Sequence, residues 1–285
     1  METQYINKAD KLLNKFIFES KKFVEYSCFP YGVTDQNKIE NNYVNMVDDY
    51  EYFSFTKSTK TLISIKKLLH SSLNEDAMIL LRSIFENYLS TRYLQEHPQE
   101  IDEFISNPIQ LTLRKYIVKQ GGIIVDREQT EIGKQPPGPS GYKLGKDKKY
   151  FTDFYEVLSR YAHCNFGIID HYLDIPNYTY EKDNNPLLIR LYVIFVFTKL
   201  FESIVTVRGE DHKDVRTKES CYKLVEESLI FQDSLFLYFI DFIEKNNESE
   251  SFKFHQRHMK DLMKNMRKSL REPLGDVIKT FFDEM

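Results

Sequence analysis

An all-α fold of about seven or eight helices is what this sequence predicts, on three observations. Apolar residues recur at three- and four-residue intervals along most of the 285-residue chain. Turn formers are scarce, with ten Gly and nine Pro, whereas sandwiches and barrels need many turns. No stretch alternates apolar and polar residues between turn signals as a half-buried strand does, and 123–125 is the one short β-like run. A 41% hydrophobic share supplies enough apolar surface for one large domain or two small ones.

The elements follow in order. Ile6, Leu13, Phe16, Ser20 and Phe23 fall on one helical face. The Pro-Tyr-Gly turn at 30–32 ends that helix, and Asp35 caps a second that runs to about 69, with a break near Ser54. Asn74 is placed as the N-cap of a helix over 75–96, which His97-Pro98 terminates. A short helix is expected to about 119. The Gly- and Pro-rich stretch 121–149 reads as a long exposed loop. Helical period resumes over 150–165. Pro176 and the Asn184-Asn185-Pro186 cluster bound another loop, and Asn185 caps a helix with Pro186 at its favoured first position. Two further helices are expected over 216–246 and 250–282. The parts group as N-terminal helices (1–72) packed on a helical core (73–210, with loop 121–149) and a C-terminal helical pair (211–285), all one compact unit.

Much chemistry is excluded by composition and motif. The formal net charge of −4 provides no global field for a polyanion. The most apolar stretch, 187–207, carries Arg190, Lys199 and Glu202, so a buried core helix is expected rather than a membrane span. The N-terminus lacks the apolar segment of a signal peptide, and a cytoplasmic protein is expected. Cys28, Cys164 and Cys221 are odd in number with no C-x-x-C pair, against both a disulfide framework and a zinc site. P-loop, dinucleotide-binding, nucleophile-elbow and H-E-x-x-H motifs are absent, as are the E-x-x-H spacing of di-iron bundles and any His-Asp dipeptide. His255 and His258 share a helix face without a nearby carboxylate, which does not make a metal site. No metal and no cofactor are expected.

Two constellations remain. In the 75–96 helix, Met78, Ile79, Phe85, Leu89 and Tyr93 form an apolar arc, and Asp76, Ser83, Asn87 and Ser90 the polar face. Arg82 and Glu86 lie inside the apolar arc, one turn apart, where their side chains can meet. They make either a structural ion pair or an arginine held by Glu86 and aimed at an anion such as phosphate. Further on, Tyr155, Ser159 and His163 step by four along one helical stripe. His163 suits acid–base work, or is a half-buried histidine bonded to Ser159. Cys164 points about 100° away from it and pairs poorly.

The segment AMILLRSIFENYLSTRYL and the later YEVLSRYAHCN resemble a family of uncharacterised bacterial helical proteins with an R-x-x-x-E helix and an L-S-x-x-x-H helix. Such proteins are similar to the HEPN superfamily (higher eukaryotes and prokaryotes nucleotide-binding), over roughly residues 60–205. That resemblance implies an HEPN-like helical core, frequently dimeric, and for many members metal-independent RNA cleavage in toxin or antiphage systems. Their Arg and His are spaced R-x(4–6)-H. Here Arg92–His97 has that spacing, whereas Arg160 and His163 are closer.

Near the C-terminus, Lys253, Arg257, Lys260, Lys264, Arg267 and Arg271 form one basic helical face beside Met259, Met263, Met266 and Leu270. It is a solvated outer face or a phosphate-tracking surface for RNA or DNA, to which Lys143, Lys146, Lys148 and Lys149 would add. The expected function is an RNA-directed effector of a bacterial defence or toxin system. In it Arg82, oriented by Glu86, holds the phosphate, His163 moves the proton, and Ser159 or Tyr155 positions the ring. RNA, a second copy of the chain and a protein of the same defence system are the expected partners. The alternative is a non-enzymatic helical sensor or adaptor, with the 121–149 loop as its contact surface.

Overall fold

The computed structural model describes residues 2–28, 46–101, 104, 116–135, 138, 142, 149–163, 165–179, 181–205, 215–245 and 250–270. Among them are seven α-helices: α1 Glu2–Ser27, α2 Met46–His70, α3 Asn74–Glu96, α4 Phe151–Ala162, α5 Pro186–Val205, α6 Val215–Lys245 and α7 Glu250–Ser269. The all-α reading holds, and among the described residues the other regular structure is short 3-10 helices and small sheets. The 30–32 turn, the Asp35 cap and the chain beyond 270 lie outside the described residues.

The chain divides into two compact units: one of Met1–Phe29, Tyr52–Tyr88 and Gly145–Met285, the other of Pro30–Glu51 and Leu89–Leu144. The larger unit is built round α5, which packs on both α1 and α6, while α6 carries α7. Eighteen of the 20 residues of α5 are buried, so the stretch with the most apolar sequence occupies the centre. On α1 the buried positions Leu12, Leu13, Phe16 and Phe23 keep the expected helical period. Phe16 meets Phe197 and Phe201 edge-on at 5.6 and 5.2 Å, and Phe23 meets Phe55 at 5.1 Å. Each fully buried ring contributes about 2–3 kcal/mol.

Several polar groups inside this core pair with one another. Thr198 and Ser228 hydroxyls lie 2.8 Å apart, and the Gln232 amide donates to both. Arg190 donates to Asp10, to the Pro186 carbonyl and to the Leu69 carbonyl, tying α1, α2 and α5 together. Among the described residues no helix is long and apolar enough to cross a membrane.

The smaller unit corrects the loop expected over 121–149. Antiparallel strands β1 Ile117–Val118, β2 Ile123–Val125 and β3 Glu131–Lys134 form a meander in that order. Gly121 and Gly122 turn the first connection with φ of +84° and +78°, values that L side chains adopt at a cost. Asp126 closes the second by accepting from the Glu128 and Thr130 amides. Strands of two to four residues leave too little alternation to read. The helix expected to about 119 likewise gives way to strand at Ile117.

Three other expectations are corrected locally. No break occurs near Ser54, because α2 runs through it. Asn74 is the first residue of α3 rather than its cap, and its amide donates to Asp183. The loop round Pro176 holds a 3-10 helix, Phe166–Tyr172, and a tight hairpin of β4 Leu173–Asp174 with β5 Asn177–Tyr178. Asn185 does precede α5 as expected, at φ +50°, a conformation Asn tolerates.

Candidate functional site

The helices α3 and α4 meet through Phe85 and Phe154, whose rings contact edge-on at 5.1 Å. Phe154 in turn packs against Tyr192 and Phe195 of α5. This aromatic floor fixes α4 in register against α3. One residue beyond it, Tyr155 reaches the Arg82–Glu86 pair.

The three side chains form a closed triangle. Arg82 Nε donates to Glu86 Oε1 at 2.9 Å, and Arg82 Nη2 donates to the Tyr155 hydroxyl at 2.7 Å. The Tyr155 hydroxyl donates onward to the same Glu86 oxygen at 3.0 Å. The guanidinium carbon lies 4.9 Å from the Tyr155 ring centre, within cation–π range. The Arg82 side chain keeps 23% of its surface exposed and Glu86 37%, so this is a half-open site and not a sealed core pair. Partial burial lowers the Arg82 pKa, but bonds to Tyr155 and Glu86 more than reverse it and hold the group above its ordinary value. Burial raises Tyr155 against the lowering effect of Arg82, so its hydroxyl stays protonated. The result is a fixed cation with a neutral phenol beside it, the donor geometry that suits an oxyanion.

The remaining expected site residues lie elsewhere. Ser159 donates to the Tyr155 carbonyl of its own helix at 2.8 Å. His163 stands just past the last residue of α4, exposed, with extended backbone (φ −125°, ψ 153°). The helix ends three residues before the expected 165, so His163 departs from the stripe of Tyr155 and Ser159. Neither a hydrogen bond nor an ion pair joins it to Arg82. Cys164 lies outside the described residues. Arg92 is engaged by Gln95 and Glu96, while His97 packs on Tyr93 at 4.5 Å.

Residues 48–123 match the model of a family of unknown function, DUF5677. The matched segment spans nearly all of α2, the whole of α3 and β1, and ends at the first residue of β2. It holds Arg82 and Glu86 but not Tyr155, Ser159 or His163. No curated protein and no solved structure matches the chain.

Much of the basic face of α7 is neutralised by α6. Arg267 binds Asp233 through two nitrogens, at 2.7 and 3.2 Å. Lys260 and Lys264 both approach Glu244, at 3.6 and 3.8 Å. Arg257 is exposed. Lys143, Lys146, Lys148, Arg271 and the side chain of Lys253 lie outside the described residues, and Lys149 is exposed.

A second polar cluster escaped the sequence. His171 Nδ1 lies 2.5 Å from Glu75 Oε1, with 12% and 11% of the two side chains exposed. His171 Nε2 faces the Tyr161 hydroxyl at 3.5 Å. Burial, then the charge of Glu75, pushes Tyr161 up to about 12. The pair is 96 residues apart in sequence. Its one local signal is Glu75 standing two turns before Arg82, close to the same helical face.

Proposed function

We propose that this chain is an RNA-directed effector with an HEPN-like core, acting by metal-independent RNA cleavage in a bacterial defence or toxin system, in the cytoplasm and as a homodimer. The observation that carries the reading is the Arg82 guanidinium, partly exposed and held by both Glu86 and Tyr155. An arginine locked in this way loses little side-chain entropy when it takes a phosphate. The RNA 2′-oxygen attacks the adjacent phosphorus as it loses its proton, the P–O5′ bond breaks, and the 5′-oxygen is protonated as it leaves. Arg82 holds the phosphate oxygens. His163, exposed at the end of the helix that carries Tyr155, exchanges the proton.

Specific observations favour a second, non-enzymatic reading as a protein-binding adaptor. Arg267, Lys260 and Lys264 already have carboxylate partners, and Phe166, Ile175 and Tyr178 are 82, 86 and 75% exposed on one short segment. One experiment separates the two. Wild type, Arg82→Ala and His163→Ala are incubated with total RNA and with tRNA in EDTA, and binding is followed by gel shift. The effector reading expects cleavage by wild type and a loss of about 100-fold or more in each variant. Full cleavage by His163→Ala removes His163 from the mechanism. Neither binding nor cleavage by folded wild type leaves the adaptor.

A further inference from the structure

We infer that Glu75, His171 and Tyr161 form an acid–base centre for the same reaction, in which His171 Nε2 takes the proton from the RNA 2′-hydroxyl; this rests on the RNA reading above. A general base needs an oriented ring, a free lone pair and a place for its partner. Glu75 supplies the orientation. With Nδ1 held 2.5 Å from the carboxylate, a neutral ring carries its proton on Nδ1 and its lone pair on Nε2. That nitrogen meets only a long contact of 3.5 Å with the Tyr161 hydroxyl, which a substrate hydroxyl can replace. The side chain is 12% exposed, so it is shielded but not fully sealed.

An independent observation concerns the surroundings. The Tyr192 hydroxyl, in a side chain only 2% exposed, has no hydrogen-bond partner, and Tyr192 lies close enough to Tyr161 to feel its charge. Next to Glu75, the fully buried Asn74 has an equally unpartnered Oδ1. Buried polar atoms of this kind leave donor and acceptor capacity that a water or a substrate group would fill.

The placement relative to Arg82 suits an oligonucleotide. Glu75 and Arg82 are seven residues apart on α3, about 10 Å along the axis. On α4, Tyr155 sits at Arg82 and Tyr161 at His171. One helix pair therefore carries a phosphate anchor and, two turns away, an oriented base. In the reaction the 2′-proton moves to His171 Nε2, the O2′–P bond forms and the P–O5′ bond breaks. The His163 imidazolium gives its proton to the departing 5′-oxygen, leaving a 2′,3′-cyclic phosphate and a 5′-hydroxyl. The new charge on His171 lies against Glu75, which acts as a positioning residue, and exchange with solvent resets both histidines.

The test follows cyclic-phosphate ends released from tRNA by wild type, His171→Ala, His171→Asn, Glu75→Gln and Arg82→Ala. His171→Asn keeps a donor for Glu75 and so preserves the fold contact. Both His171 variants are expected to lose about 100-fold or more, with added imidazole restoring part of the His171→Ala rate. Glu75→Gln is expected to lower kcat about tenfold with KM unchanged. Wild-type rates in folded His171→Asn, or a His171→Ala defect that imidazole does not relieve, overturn the inference. If Arg82→Ala then still fails to cleave, the RNA reading stands without it. No cleavage by wild type overturns both.

Discussion

Two arginines of this molecule are each held by a carboxylate, and they differ in what remains. Arg190 sits on the central helix with 6% of its side chain exposed, and its three nitrogens meet Asp10, the Pro186 carbonyl and the Leu69 carbonyl. Arg82 has 23% exposed and uses Nε and Nη2 on Glu86 and Tyr155. Both look alike in sequence, a cation among apolar neighbours. The first is consumed by the fold, tying three helices together. The second is aimed rather than consumed, because Glu86 and Tyr155 leave part of it exposed. The difference teaches that burial and donor saturation, more than the presence of a partner, separate a structural arginine from one available to a ligand.

The sharpest way to break this contrast is to remove each cation. Arg190→Met leaves Asp10 and two carbonyls without their donor in a dry setting, and is expected to cost about 3 kcal/mol in urea unfolding. A loss below about 1 kcal/mol would put Arg190 in the same class as Arg82. Next in size is Thr198→Val, which strips the hydroxyl that Ser228 and Gln232 share. About 1–2 kcal/mol is expected from the same measurement. Arg82→Met comes third, at under about 1 kcal/mol, since a half-exposed pair one turn apart contributes little. Under the proposed function its effect belongs in RNA binding instead.

Alkaline titration sharpens the comparison for the neighbouring cluster. The Tyr161 pKa is raised in the fold, from 10.0 to about 12. Its contribution to stability is therefore complete below about pH 10 and is lost as pH rises through the window to about 12. Wild type should lose stability in that window faster than Tyr161→Phe, as read by circular dichroism. Equal slopes would mean that Tyr161 is not held protonated. The smallest effect concerns Cys221, which burial pushes up to about 12. Iodoacetamide at pH 8 is expected to leave it unmodified in the native protein and to label it after denaturation, as mass mapping would show.

The sequence carried the helices well because their apolar period spans many turns, and α5 announced its central place by being apolar all round. It also carried the meeting of Arg82 and Glu86, which is a one-turn contact. Tyr155 was marked only as a member of its own stripe. Its bond to Arg82 crosses 73 residues and depends on the Phe85–Phe154 contact setting the register of two helices. Glu75 and His171 meet over a still longer separation, with no pattern inside either segment to signal it. His163 was misplaced for a local reason: α4 ends at Ala162, and an error of a few residues at a helix end rotates a side chain off its face. The meander over 117–134 stayed hidden because its strands are too short for a period to register.

The burial of α5 has a bearing on how the molecule opens. Amides in a surface helix can exchange with solvent by fraying, without disturbing the rest. Those of Leu191–Leu200 are screened by α1 on one side and α6 on another, so local fluctuations do not expose them. Deuterium would enter there when the surrounding helices part together, and the slowest amides of this stretch would clock the unfolding of the whole larger unit.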